Sequence, residues 1–218
     1  MKSDKPIIVQ GLAEGDCTKG ATIDFLSSIY KPEFGFRFGG GSQCAHNVVV
    51  NDLHHCFSQF SAATFNGATT VLTKEVVFDP LSYEAEREKL GENGSCAMVD
   101  ENCLVVTPYH IAKNRITEKR LKHGSCGRGV WATKEYAQRY PERALRVSDM
   151  WSGGFYDKTD QIREDILAEV GEFEPFDIYG EILKSGNIKS FADVCYSVEI
   201  IPVWTEDIEK IVKNNSCI

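Results

Sequence analysis

Three short runs hold the residues best suited to chemistry. The first is Gly11-Leu12-Ala13-Glu14-Gly15-Asp16-Cys17-Thr18-Lys19-Gly20. Glycines let a backbone approach an anion closely, a following helix offers free N–H groups, and Lys19 adds a positive charge. Lys19 precedes glycine and no Gly-Lys-Ser/Thr ending is present, so this is not a regular P-loop. The same composition also builds a tight turn. The second run is Arg37-Phe38-Gly39-Gly40-Gly41-Ser42-Gln43-Cys44-Ala45-His46-Asn47. His46, at the end of a glycine-rich loop, titrates near neutral pH and suits acid–base work, although a lone histidine more often sits on a surface or in a hydrogen bond. His54, His55, His110 and His123 have no comparable context. The third run is Gly124-Ser125-Cys126-Gly127-Arg128-Gly129-Val130, with Ala144-Leu145-Arg146-Val147-Ser148-Asp149-Met150 further on. A hydroxyl or thiol between glycines, followed by an arginine, suits anion recognition, because a guanidinium grips phosphate as a fork. A polar turn with a solvated arginine is the plainer alternative.

These runs need elements to hold them. Pro6-Ile7-Ile8-Val9-Gln10 reads as a short buried strand, followed by the first glycine loop and a helix over 21–29. Further strands are expected at 34–38, 47–50, 69–73 and 103–106, alternating with helices at 80–90 and 110–123. Such alternation argues for a largely parallel sheet covered by helices. Beyond about Met150 the pattern turns helical: Ile162, Ile166, Leu167 and Val170 share one helical face, 176–183 continues in this style, and a last helix is expected from Glu206 to Lys213 with Thr205 as N-cap. The expected organisation is an α/β core over residues 1–150 with a helical lobe of the same domain over 151–218.

Composition narrows the function classes. The chain of 218 residues carries 24 Lys plus Arg against 32 Asp plus Glu, a net charge of −8. That is no electrostatic footprint for a nucleic acid. No apolar run approaches the roughly 20 residues that cross a bilayer, and no signal peptide is visible, so a cytoplasmic protein without a membrane partner is expected. The eight cysteines form no Cys-x-x-Cys pair and read as free thiols.

The three runs, in this order, resemble the motifs of the adenylosuccinate synthetase family. The first is similar to Trp-Gly-Asp-Glu-Gly-Lys-Gly, with Gly15, Asp16, Lys19 and Gly20 in register. The second resembles Arg-Tyr-Gln-Gly-Gly-x-Asn-Ala-Gly-His-Thr, keeping Arg37, Gly40, Gly41 and His46. The third resembles Gly-Thr-Thr-Gly-Arg-Gly-Ile-Gly-Pro followed by Gly-Leu-Arg-Val-Gly-Asp-Leu, which Leu145, Arg146, Val147 and Asp149 echo. The resemblance implies a P-loop-NTPase-like, mostly parallel sheet flanked by helices, with a C-terminal helical lobe. It implies a GTP-dependent ligase that phosphorylates the 6-oxygen of IMP and then lets aspartate displace the phosphate. Asp16 would be the general base and a Mg²⁺ ligand, Ala45 would offer its carbonyl to the same Mg²⁺, and His46 would be the acid. Gly15, Cys17, Lys19, Gly20, Gln43, Ala45, Asn47, Cys126 and Arg128 would line the nucleotide, and Arg143 (or Arg139) would match an arginine that reaches across a homodimer.

Departures from these motifs open other readings. Glu14 replaces Trp, Cys17 replaces Glu, Thr18 replaces the middle Gly, Ala45 replaces Gly and Asn47 replaces Thr. Lys213 to Ile218 resembles the turn and first strand residues that precede the family's Phe-Glu-Gly-Ala-Gln-Gly, so the elements reading guanine and aspartate would lie on a missing half or a second polypeptide. One alternative is therefore a non-catalytic module that binds a nucleotide or a partner protein. Another follows from Cys17, Cys44 and Cys126, one in each run: three thiols near His46 would suit zinc or an iron–sulfur cluster.

Overall fold

In the computed structural model the described residues are 5–12, 17–50 and 53–218. The first half runs α1 (Lys19–Tyr30), β1 (Phe34–Arg37), β2 (His46–Val50), β3 (Leu53–Phe57), β4 (Thr69–Leu72), β5 (Val77–Phe78), α2 (Pro80–Leu90) and β6 (Met98–Asp100). Then follow β7 (Leu104–Val105), α3 (Pro108–Leu121), α4 (Val130–Arg139), α5 (Phe155–Val170), α6 (Ile178–Ser185), α7 (Lys189–Ser197), β8 (Ile201–Val203) and α8 (Thr205–Asn214). The central sheet has the order β1-β4-β6-β8 and is parallel throughout. Helices flank it, so the fold is α/β as expected. Val71, Leu72 and Val99 are fully buried, which is how parallel strands covered by helices read.

Caps written in the sequence fix two of the helices that carry the site. Asp79 accepts from Ser82 N at 3.1 Å with Pro80 at the first helical position of α2. Thr107 caps α3 ahead of Pro108, and its hydroxyl lies 2.9 Å from His110 Nδ1. Both follow the preference for an oxygen at the cap and proline just inside. The main core joins the sheet to the C-terminal helices, with Leu72, Tyr83, Phe155, Ile162, Ile166 and Leu183 all fully buried.

Several expectations need correction. Residues 6–10 are not a strand; Ile7 N donates to Cys217 O at 2.9 Å, beside the Phe34↔Cys217 parallel bridge. The expected strand at 47–50 is half of an antiparallel hairpin, β2–β3, and the strand at 103–106 pairs with β5 in a separate two-stranded ladder. Thr205 is not the cap of α8: Trp204 precedes the helix, and the Thr205 hydroxyl donates instead to Asp100 Oδ2 at 2.6 Å. The segment beyond 150 is helical except for β8, which joins the central sheet beside β6.

Candidate functional site

The chain enters α1 through Thr18, whose φ of 55° lies in the left-handed region. A side chain there costs about 1–2 kcal/mol, and the resembling motif has glycine at this position. Lys19 Nζ donates to Cys17 Sγ at 3.1 Å. A β-carbon on Gly11 would come within 2.4 Å of that sulfur and 3.1 Å of Lys19 Nζ, so the start of the first loop folds directly over the pair. Gly15 and Asp16 lie outside the described residues.

The first and second loops meet where α1 crosses β2. A β-carbon on Gly20 would fall 2.7 Å from His46 Cβ and 3.2 Å from the Asn47 carbonyl oxygen. His46 is half-buried; burial first, then the charges of Arg37 and Lys19, push its pKa down to about 4. The imidazole is therefore neutral at pH 7. Asn47 is exposed, and its Oδ1 lies 3.0 Å from His54 Nε2.

Behind the second loop lies a support that the sequence did not announce. Arg37 is buried and donates to Cys44 O at 2.6 Å and Phe60 O at 3.1 Å. Glu86 of α2 is also buried and accepts from Ser58 N, Ser58 Oγ, Gln59 N and Phe60 N. A cation and a carboxylate thus hold segment 57–60 from two sides, and Arg37 ties that segment to the loop carrying His46. In the sequence Glu86 sits in Glu84-Ala85-Glu86-Arg87-Glu88, which reads as a solvated helix face; no signal separates it from its neighbours.

The second and third loops also meet. A β-carbon on Gly41 would approach Val130 Cγ2 to 2.9 Å and Gln43 Oε1 to 3.2 Å, placing the Gln43 turn against the N-terminus of α4. The third loop is held by α3. Glu118 accepts from Gly124 N at 2.7 Å and Ser125 N at 3.1 Å, which holds its carboxyl below the usual carboxylate range. Asn114 Oδ1 accepts from Gly129 N, and Arg115 Nε donates to the Gly127 carbonyl. Cys126 and Arg128 are exposed.

Other expected residues have different occupations. Arg143 forms a 3.0 Å ion pair with Asp165 and lies over the Tyr140 ring; Arg139 pairs with Glu169 at 3.4 Å. Arg146 and Asp149 close a local turn, with Arg146 Nη1 on the Asn102 carbonyl. The expected convergence of Cys17, Cys44 and Cys126 is not found. None of the three is in a disulfide, and among the described residues no three His, Cys, Asp or Glu side chains are grouped to hold a metal ion. The reason is local packing: Cys17 is engaged by Lys19, Cys44 turns back on Gly40, and the clamp from α3 leaves Cys126 exposed.

The sequence profile of the family described as adenylosuccinate synthetase matches residues 8–213. The chain belongs to the adenylosuccinate synthetase family. The adenylosuccinate synthetase of Borrelia turicatae is 29% identical over 184 residues, 80% of this chain and 42% of that protein. That of Bordetella pertussis is 30% identical over 183 residues, 80% of this chain and 40% of its own length. The chain thus spans less than half the length of these relatives. Two solved structures share the fold: fully ligated adenylosuccinate synthetase from Plasmodium falciparum (TM-score 0.71, 17% identity, covering 93% of this chain and 47% of that one), and the succinoaminodeoxyadenylate synthetase of cyanophage S-2L bound to dGMP and dATP (TM-score 0.57, 14% identity, 93% and 46%). Among the described residues, no helix is long and apolar enough to cross a membrane.

Proposed function

We propose that this chain binds a purine 5′-monophosphate of the IMP type and supplies the IMP-facing residues of a GTP-dependent ligase joining IMP and aspartate. The observation that carries this reading is the meeting of the three glycine loops, Gly20 on His46 and Gly41 on Val130. The nucleotide phosphate would lie against Gln43, Cys126, Arg128 and the start of α4, with the base toward Asp16 and His46. A phosphoryl group passing from GTP to the 6-oxygen of IMP would be neutralised by Lys19, while Asp16 accepts the N1 proton and His46 donates a hydrogen bond to the developing oxyanion. A neutral imidazole suits that donor role. Mg²⁺ would be held by the Ala45 carbonyl and the Asp16 carboxylate, oxygen donors appropriate to a hard cation, and when bound would offset phosphate charge. Gly15, Cys17, Gly20 and Asn47 would line the phosphate side. Elements that read guanine and aspartate would come from outside these 218 residues.

A homodimer is proposed as well. Trp131 is 74% exposed at the start of α4, on the wall of a cavity of about 490 Å³ between α3 and α4 that a second copy could fill. Light scattering of the concentrated protein tests this; a monomer would count against it. For the nucleotide reading, Arg128→Ala should weaken IMP binding by about 1.5–3 kcal/mol, the worth of a charged hydrogen bond. Asp16→Asn should leave binding largely intact while abolishing turnover in the assembled ligase. Equal IMP affinity for Arg128→Ala and wild type, by calorimetry, would remove Arg128 from the site.

A further inference from the structure

Side chains along one stretch of α3 hold three amides and one carbonyl of loop 124–129. Glu118 takes the amides of Gly124 and Ser125. Asn114 takes the amide of Gly129 at 3.1 Å and exchanges hydrogen bonds with Ser125 Oγ, which in turn accepts from Gly127 N at 3.3 Å. Arg115 donates to the Gly127 carbonyl at 3.2 Å and, through Nη1, to Asp177 Oδ2 at 2.9 Å. Asp177 is itself the cap of α6, so the same guanidinium ties the loop to the C-terminal helices.

Three amides of the loop are therefore occupied by α3 side chains, and a fourth, that of Gly127, by Ser125 Oγ, which Asn114 holds. Among the described residues, the amides of Cys126, Arg128 and Val130 find no acceptor within the chain. Gly127 and Gly129 have φ of +67° and +75°, whereas Cys126 and Arg128 do not share the positive sign. Backbone of alternating hand turns amides into a concave nest that takes an anion, and the first turn of α4 adds its own free N–H groups.

We propose that Asn114, Arg115 and Glu118 are positioning residues: by claiming one set of loop amides and the Gly127 carbonyl from behind, they hold the other amides open toward the nucleotide's phosphate. Asp177 completes the arrangement by fixing the Arg115 guanidinium. The inference rests on the nucleotide reading above but concerns the phosphate end of the ligand alone. None of the three touches the phosphate.

The test compares IMP with inosine, which lacks only the phosphate, by calorimetry on wild type, Glu118→Ala and Arg115→Ala, with thermal unfolding of each. Wild type should prefer IMP by about 10- to 150-fold, as charged hydrogen bonds of ordinary strength require. Both variants should lose most of that preference, to within about threefold, with inosine affinity unchanged. Glu118→Gln, which keeps an acceptor oxygen, should recover part of it. Should Glu118→Ala fail to fold, Glu118→Gln and Arg115→Lys carry the same comparison, with a partial loss expected. A variant that keeps the full preference, or loses IMP and inosine affinity equally, overturns the positioning role and leaves the nucleotide reading standing. If wild type binds neither ligand, or both alike, the nucleotide reading fails and the positioning role falls with it.

Discussion

Glu86→Ala should destabilise this chain far more than its place in a charged helix suggests. Its carboxylate is 5% exposed, and accepts from Ser58 N at 3.0 Å, Ser58 Oγ at 2.7 Å, Gln59 N at 2.7 Å and Phe60 N at 3.3 Å. It is also the leading counter-charge to the buried Arg37. Hydrogen bonds to a charged group are worth about 1.5–3 kcal/mol each, but bonds converging on one carboxylate do not add. Removing one member of a buried charged network costs about 3–5 kcal/mol, because the other charge and the orphaned amides stay buried. The expected loss for Glu86→Ala is therefore about 3–5 kcal/mol in urea unfolding at pH 7. Glu86→Gln should cost roughly half that, since one amide oxygen still accepts while its N–H groups face other donors. Because Arg37 also holds the Cys44 carbonyl, both variants should weaken whatever binds beside His46. A Glu86→Ala protein within about 1 kcal/mol of wild type would show that segment 57–60 does not depend on this carboxylate.

Three further outcomes are expected. Thr18→Gly should stabilise by about 0.5–1 kcal/mol, the left-handed strain less the added freedom of glycine in the unfolded chain; a destabilised variant in urea unfolding would contradict this. His110, buried beside Lys113, has its pKa lowered to about 3, chiefly by burial. Below the unfolded value near 6.5 the unfolded chain binds a proton that the folded one does not. The stability contributed by the neutral form is full above that pH and is lost as pH falls toward 3, by up to about 1.4 kcal/mol per pH unit. Urea midpoints from pH 7 to 4 should fall less steeply for His110→Gln than for wild type, and equal slopes would refute the assignment. His46, partly exposed, should titrate by NMR near pH 4 and move upward in Lys19→Ala; a midpoint near 6.5 in wild type would show that neither burial nor the two cations act on it.

Much of the frame was legible because local signals agreed with it. Asp79-Pro80 and Thr107-Pro108 announce helix starts, and Phe34 to Arg37 and Thr69 to Leu72 are apolar or β-branched enough to read as strands. Met98 to Asp100 and Ile201 to Val203 are too short for periodicity, and gain strand character only through pairing with each other and with β4. The hairpin was misplaced because Val48-Val49-Val50 looks like a buried parallel strand, whereas its partner, Leu53 to Phe57, carries two histidines that hide its alternation. Order and spacing of the glycine loops located the candidate site, as did the family resemblance they carry. What holds the loops was invisible: Glu86, Glu118 and Arg115 are ordinary helix charges until the chain folds and brings unpaired amides and carbonyls to them. The thiol cluster failed for a related reason, since one cysteine per loop says nothing of which way each loop turns.

The most direct measurement is calorimetric titration of IMP into the wild-type chain at neutral pH, with inosine titrated alongside. If the three loops build one nucleotide site, IMP binds with a dissociation constant well below millimolar and inosine binds at least about tenfold more weakly, the smallest margin expected of one charged contact to the phosphate. No detectable heat with IMP at millimolar concentration, or equal affinity for the two ligands, would contradict the account.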